Sequence, residues 1–203
     1  MNVSILSMTP SAQALLWAAA KTCKSKETPE DLFFGEQEDP QRLLKALWDA
    51  GHYSVFEHAS ITFAVSGISR TCLAQLSRHR HISLSVQSQR YVASNDPAIP
   101  GTLPVSIEMS PQATEVYMSA WVDVSRACDQ LAKLGVPQED VRFLYPGGTT
   151  TNLVLTCNLR AYSELRDKRT VKGAQWEIKD LIFAMDCEVK EALPWFGELL
   201  GLS

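Results

Sequence analysis

The densest set of reactive side chains is Arg78-His79-Arg80-His81-Ile82-Ser83-Leu84-Ser85-Val86-Gln87-Ser88-Gln89-Arg90-Tyr91. Arginine forks match pairs of phosphate or carboxylate oxygens. Ser88 and nearby backbone N–H groups can donate to a phosphate, and Gln75 upstream offers an amide to a base edge. On a helix predicted from Ser69 to about Arg80, Gln75, Arg78 and His79 stand at i, i+3 and i+4 and share one face. Together these residues read as an anion site. The plainer reading is a helix C-terminus decorated with cations, which the helix dipole favours. It accounts for Arg78 and Arg80 but leaves Ser88-Gln89-Arg90 unexplained.

Two further polar clusters stand out. Gly51-His52-Tyr53-Ser54-Val55-Phe56-Glu57-His58 holds two histidines and a glutamate. Their spacing does not give a helical HxxxH pair, and no third ligand is evident. Metal binding therefore ranks below an ordinary loop whose polar groups satisfy backbone at a helix start. Farther on come Asn158-Leu159-Arg160, Arg166, Arg169 and Gln175-Trp176-Glu177. Arg160 and Glu164 are spaced i, i+4, where the plain expectation is a solvated face with weak salt bridges. Arg142 lies near the end of a short predicted helix before Phe143-Leu144-Tyr145-Pro146.

Apolar spacing gives the elements that would position these groups. A first helix is predicted over about Ala12 to Lys21, followed by a charged loop from Lys24 to Glu38. Asp39-Pro40 starts a helix, with Leu43, Leu44, Leu47 and Trp48 as its buried stripe and Gly51 past its end. Ile61, Phe63 and Val65 alternate on one side of a strand over Ser60 to Ser66. The stretch from Asn95 to Pro111 reads as a surface connection, and Ser110-Pro111 opens a long helix down to Gly135. Pro137 opens a short helix, Thr149 to Cys157 reads as a β-branched strand, and Asn158 starts another helix. A last helix runs from about Ala174 to Leu193, with Ile178, Leu181, Met185, Val189 and Ala192 on its inner face. The predicted fold is α+β, helix-rich with a small antiparallel sheet, in a single domain spanning residues 1–203.

Composition narrows the partners. The 203 residues are 45% hydrophobic and 21% charged, enough for a core and against extended disorder. A net charge of -4 argues against a coat for a nucleic-acid polymer, yet the arginines cluster, as a small phosphorylated ligand would require. Cys23, Cys72, Cys128, Cys157 and Cys187 are odd in number, widely spaced and without a CxxC, so neither a disulfide framework nor a zinc site is expected. No basic-then-apolar leader and no span-length apolar run is visible, so the expectation is a cytoplasmic protein without a membrane segment.

Taken together, the clusters resemble the flavin-dependent thymidylate synthases. Arg78-His79-Arg80 followed by Ser88 matches that family's signature, and Gln89-Arg90-Tyr91 continues it. Gly51-His52 and Glu57-His58 match its upstream segment. Asn158-x-Arg160, Arg169 and Ala174-Gln175-Trp176-Glu177-Ile178 match its C-terminal pattern. The resemblance runs from about residue 12 to 193, and three motifs in order make it specific.

It implies reductive methylation of dUMP to dTMP, with FAD as cofactor and NADPH and methylenetetrahydrofolate as co-substrates, in a homotetramer with sites at subunit junctions. Gln75, Arg78, Ser88, Gln89, Arg90, Arg142 and Arg169 fall where the family holds the nucleotide. Cys23, Ser54, Glu57, Arg78, His79, Arg80, Asn158 and Arg160 fall near its flavin. Some relatives carry an acidic residue or glutamine at the position of Val86, a role open here to Gln87 or Ser85. Glu164 and Gly173 stand where asparagine and histidine are common. Arg169 is the candidate to stabilise charge on the uracil ring. No Pro-Cys-His segment of the flavin-free synthases occurs, and Cys72 and Cys128 read as core. Two alternatives stand beside this: a methylase of another uridylate such as UMP, and a relative that binds flavin and nucleotide without turnover.

Overall fold

Strand β1 (Asn2–Met8) opens the computed structural model, which describes residues 1–92 and 99–202. Helices α1 (Ala12–Thr22), α2 (Pro29–Phe34) and α3 (Pro40–Asp49) follow, then a 3-10 turn at Tyr53–His58. Next come β2 (Ser60–Ser69), α4 (Arg70–Leu76) and β3 (Ile82–Val86). After α5 (Val105–Glu108) come the long α6 (Pro111–Lys133), then α7 (Gln138–Val141) and a 3-10 turn at Arg142–Leu144. The chain ends with β4 (Thr150–Asn158), α8 (Leu159–Arg169), α9 (Trp176–Ala192) and α10 (Pro194–Leu199).

Side chains start the helices that flank the reactive clusters. Asp39 accepts from Arg42 N–H, Ser69 from Cys72, Ser110 from Ala113, Asn158 from Ala161 and Gln175 from Ile178. Gly51 takes the left-handed conformation that closes α3, at φ 77°. The strands form one antiparallel sheet in the order β1-β2-β4-β3. Alternation decides its buried face: Ile61, Phe63 and Val65 of β2 and Leu153, Leu155 and Cys157 of β4 are all buried. Thr62 and Thr156, whose hydroxyls lie 3.0 Å apart, fix the register of β2 against β4.

Two compact units divide the chain. Unit one comprises Met1, Ser66–Arg78 and Ser85–Leu153; unit two comprises Asn2–Val65, His79–Leu84 and Val154–Ser203. In unit one, Ile99, Cys128 and Val141 form a small core with Trp121, Val124 and Leu131 packed against it. Trp121 presses so closely on Gly101 that an added Cβ would lie 2.1 Å from its ring. In unit two, Trp48 meets Tyr53, Phe56 and Phe196 edge-on, and Phe63 stacks on Tyr162. The Tyr162 hydroxyl donates to Asp186 Oδ1 at 2.6 Å, and Arg166 Nε donates to the other carboxylate oxygen at 2.9 Å, tying α8 to α9.

Four expectations need correction. The predicted loop over Lys24 to Glu38 contains α2, started by a reciprocal Thr28–Asp31 capping box. The helix predicted to reach Arg80 stops at Leu76, with Ser77 as its cap, so Gln75, Arg78 and His79 do not share a helical face. In the third cluster, Arg166 is not on a solvated face but half-buried against Asp186. The stripe of α3 is fully buried only at Leu44. β1, β3 and α10 are additional to the predicted elements. Part of the predicted connection from Asn95 to Pro111 lies outside the described residues, and the rest holds α5.

Candidate active site

Unit two holds most residues assigned to flavin. Glu57, Asn158 and Arg160, with His81 and Glu164, line a cavity of about 240 Å³. Arg160 Nη1 donates to Glu57 at 2.6 Å and its Nε to Glu164 at 3.0 Å, so this arginine joins the second and third sequence clusters. Glu164 thus serves as a partner of Arg160. Gly173 opens on empty space, with nothing within 4 Å of an added Cβ. Cys23, the residue that ends α1, and Ser54, in the first 3-10 turn, line a separate cavity of about 740 Å³. Its wall includes Trp17, Lys21, Lys24 and His52.

His79 and Arg169 meet in the same unit. Arg169 is the last residue of α8, and its Nε donates to His79 Nε2 at 2.8 Å. The bland expectation for Arg169, a solvated salt-bridge face, does not describe this contact. Burial, then Arg169 and Lys168, hold the His79 pKa below the ordinary histidine value.

Unit one holds most residues assigned to the nucleotide. Gln87, Ser88 and Gln89 line a cavity of about 120 Å³ with Arg70, Tyr145 and Thr149. The buried Arg70 Nε, Gln89 Nε2 and Thr149 Oγ1 have no partner among the described residues. Two of these three groups can only donate, which suits an oxygen-rich ligand. Arg90 pairs with Glu139 at 2.7 Å, with both side chains about half exposed. Arg142 Nε donates to the Glu139 carbonyl, and burial and then Arg142 lower the pKa of Arg70. Gln75 lies in α4 and Arg78 in the turn after it; Arg80 precedes β3 in unit two. None of these three lines the cavities described above.

Arg70 was missed in the sequence. Its Nη2 donates to the Gln87 carbonyl at 2.7 Å and so holds the start of the Ser88 segment. A signal existed: Arg70 is the first residue of α4, where the helix dipole disfavours a cation unless something anionic or a carbonyl meets it. Asn152 was missed too; it accepts from Gly67 N–H and donates to Gln87 Oε1. Gln87 is therefore held at both its backbone and its side chain.

The family described as thymidylate synthase complementing protein matches residues 4–195. The chain belongs to the flavin-dependent thymidylate synthase family. A relative of that name from Geobacter sulfurreducens is 36% identical over 198 residues, covering 96% of this chain and 84% of its own. Another from Haloarcula marismortui is 36% identical over 169 residues, covering 71% and 68%. Among solved structures, a UMP/dUMP methylase from Streptomyces cacaoi bound with 5-Br dUMP superposes with a TM-score of 0.84 at 22% identity, covering 98% and 94%. Thymidylate synthase X from Helicobacter pylori, with FAD and dUMP, gives 0.76 at 22%, covering 98% and 99%. At that identity these two establish the fold.

Of the five thiols, Cys23 alone lines one of the cavities described above. Cys72, Cys128 and Cys157 are buried, and burial pushes the Cys157 thiol up to about 12 and the Cys128 thiol up as well. A family mechanism without a thiolate is consistent with that placement. Among the described residues no group of three or more His, Cys, Asp or Glu could hold a metal ion, and no helix is long and apolar enough to cross a membrane.

Proposed function

We propose that the chain, acting as one domain, converts dUMP to dTMP. The carbon comes from methylenetetrahydrofolate, which leaves as tetrahydrofolate; the C5 proton of uracil is lost and a methyl group takes its place. FAD, reduced by NADPH, supplies the hydride that completes the methyl group. The reading rests on the family match, which runs through both units from residue 4 to 195. The donor sets fit the ligands. In unit two, Arg160 and Asn158 in one cavity, Ser54 in another and the exposed Arg80 suit the phosphates and hydroxyls of a flavin dinucleotide. Arg70, Ser88, Gln89, Arg90 and Arg142 give unit one a cationic, donor-rich set for a nucleotide phosphate. Arg169 meets the charge that develops on the uracil ring. The protein works in the cytoplasm as a homotetramer whose sites neighbouring chains complete. Exposed Val116, Met118 and Val122 on α6 and Phe183 on α9 are apolar surface for such neighbours.

The test supplies the purified protein with FAD, NADPH, methylenetetrahydrofolate and dUMP, with UMP in a parallel reaction. Flavin absorbance bands that bleach with NADPH, and dTMP as product, are expected. Absent flavin bands after incubation with FAD would overturn the reading. Turnover of UMP in preference to dUMP would favour the second reading, which the likeness to a UMP/dUMP methylase keeps in view.

Arg90→Ala should weaken dUMP binding and leave FAD binding unchanged. Its ion pair with Glu139 is exposed and of a kind worth about 0–1 kcal/mol. A charged hydrogen bond to a phosphate is worth about 1.5–3 kcal/mol, so the phosphate displaces Glu139. The expected loss in dUMP affinity is about tenfold to a hundredfold, read by calorimetry. An unchanged affinity would remove Arg90 from the site.

A further inference from the structure

Arg169 ends α8, where a long side chain has several rotatable bonds. His79 stands 90 residues earlier, just before β3, and yet the two side chains meet at 2.8 Å. A guanidinium N–H can only donate, so His79 Nε2 must carry a lone pair and any neutral-ring proton must sit on Nδ1. A bond at Nε also constrains the guanidinium more than one at its terminal nitrogens would. Nε lies in the guanidinium plane next to the last rotatable bonds, so holding it sets the direction in which the fork points.

We propose that His79 is a positioning residue for Arg169: the neutral imidazole sets the orientation in which the guanidinium meets the uracil ring, and protonation of His79 releases it. This rests on the assignment of Arg169 to the uracil. An imidazolium would present N–H to N–H and add a positive charge beside a guanidinium. Lys168, also on α8, contributes a further cation, and Arg78, Arg80 and His81 flank His79 in its own segment. Burial and these α8 cations keep His79 neutral near neutral pH. Because its folded pKa is depressed, its contribution to stability is present above the unfolded value of about 6.5. That contribution is lost as pH falls through the lower folded value.

The test compares His79→Ala, His79→Gln, Arg169→Ala, Lys168→Met and the double variant His79→Ala/Arg169→Ala. His79 also belongs to the flavin set, so FAD affinity is measured first and all rates are taken at saturating FAD. Stopped flow follows oxidation of the reduced flavin by dUMP and methylenetetrahydrofolate, with reduction by NADPH as the internal control. His79→Ala should slow the oxidative step about tenfold to a hundredfold, the effect of one lost bond to a charged group. His79→Gln, whose Oε1 can accept from the same N–H, should recover most of that loss. The double variant should be no slower than Arg169→Ala alone. Lys168→Met should move the acid limb of the oxidative step to higher pH, and His79→Ala should abolish that limb. Nitrogen NMR of His79 in the parent should report the Nδ1–H tautomer, and Arg169→Ala should disturb its signal.

Losses that multiply in the double variant would overturn the proposal, as would a protonated Nε2 at neutral pH. A slow Arg169→Ala beside a parent-rate His79→Ala would overturn the positioning role alone. A parent-rate Arg169→Ala would instead overturn the assignment beneath it, and the proposal with it.

Discussion

Replacing Arg169 by alanine should slow hydride transfer to the nucleotide by about a hundredfold to a thousandfold. Reduction of the flavin by NADPH should proceed at the parent rate. The asymmetry follows from where charge develops. A guanidinium beside a uracil carbonyl gains little from the neutral ring and much from the ring once it carries negative charge, so its loss falls on the barrier more than on binding. The expected signature is therefore a fall in the oxidative rate at saturating dUMP, with a smaller change in dUMP affinity. The two half-reactions are separated by stopped flow. An oxidative rate equal to the parent's would reduce Arg169 to a structural side chain at the end of α8.

Asp186→Ala should destabilise the fold by about 3 kcal/mol, near the lower end of the range for breaking a buried ion pair. Asp186 takes bonds from the fully buried Tyr162 hydroxyl and from Arg166. Burial and then Asp186 push the Tyr162 hydroxyl far above its ordinary pKa, so it remains a donor at all working pH values. Without Asp186 that donor is stranded in the core. The Arg166 and Asp186 side chains are 22% and 13% exposed, so water offsets part of the loss at the guanidinium. Asp186→Asn keeps an acceptor for Tyr162 and should lose less. The exposed Lys45–Asp49 pair provides the contrast, since Asp49→Ala should change stability by less than about 0.5 kcal/mol. Urea unfolding of the three variants measures these differences. Equal losses at 186 and 49 would show that the α8–α9 clamp adds nothing.

The sequence was most legible where one local rule spoke clearly. Asp39-Pro40, Ser110-Pro111 and Asn158 each announced a helix start, and the alternation of Ile61, Phe63 and Val65 announced the buried face of β2. It was least legible where two rules overlapped. Ile82, Leu84 and Val86 alternate with serines as a strand should, but they sit inside the arginine- and serine-rich segment, whose chemistry masked the period. The helix before them stops at Leu76, and no glycine or proline marks that end. α2 is six residues long, too short for a periodic stripe, and the loop predicted over Lys24 to Glu38 overlooks its Thr28–Asp31 capping box. Arg160 and Arg169 are recognisable by motif, and the pairing of Arg160 with Glu164 by its i, i+4 spacing, but their distant partners are not. Glu57 and His79 are 103 and 90 residues away, distances at which spacing carries no information. The resemblance could assign such residues to a ligand; it could not say that Arg70 holds the Gln87 carbonyl.

The division of the chain bears on how the protein is born. Unit two is composed of residues 2–65, a short piece at 79–84 and the stretch from 154 onward, whereas unit one lies almost wholly between 66 and 153. On a ribosome, the first 65 residues emerge without the α8 and α9 surfaces that later cover them. Phe63 has no Tyr162 to stack on, and Trp48 has no Phe196. At roughly 5–20 residues per second this nascent half waits several seconds with its apolar faces open, while unit one has all its pieces sooner. Slower synthesis of the stretch between residues 66 and 153 lengthens the time for which these aromatic faces lack their partners.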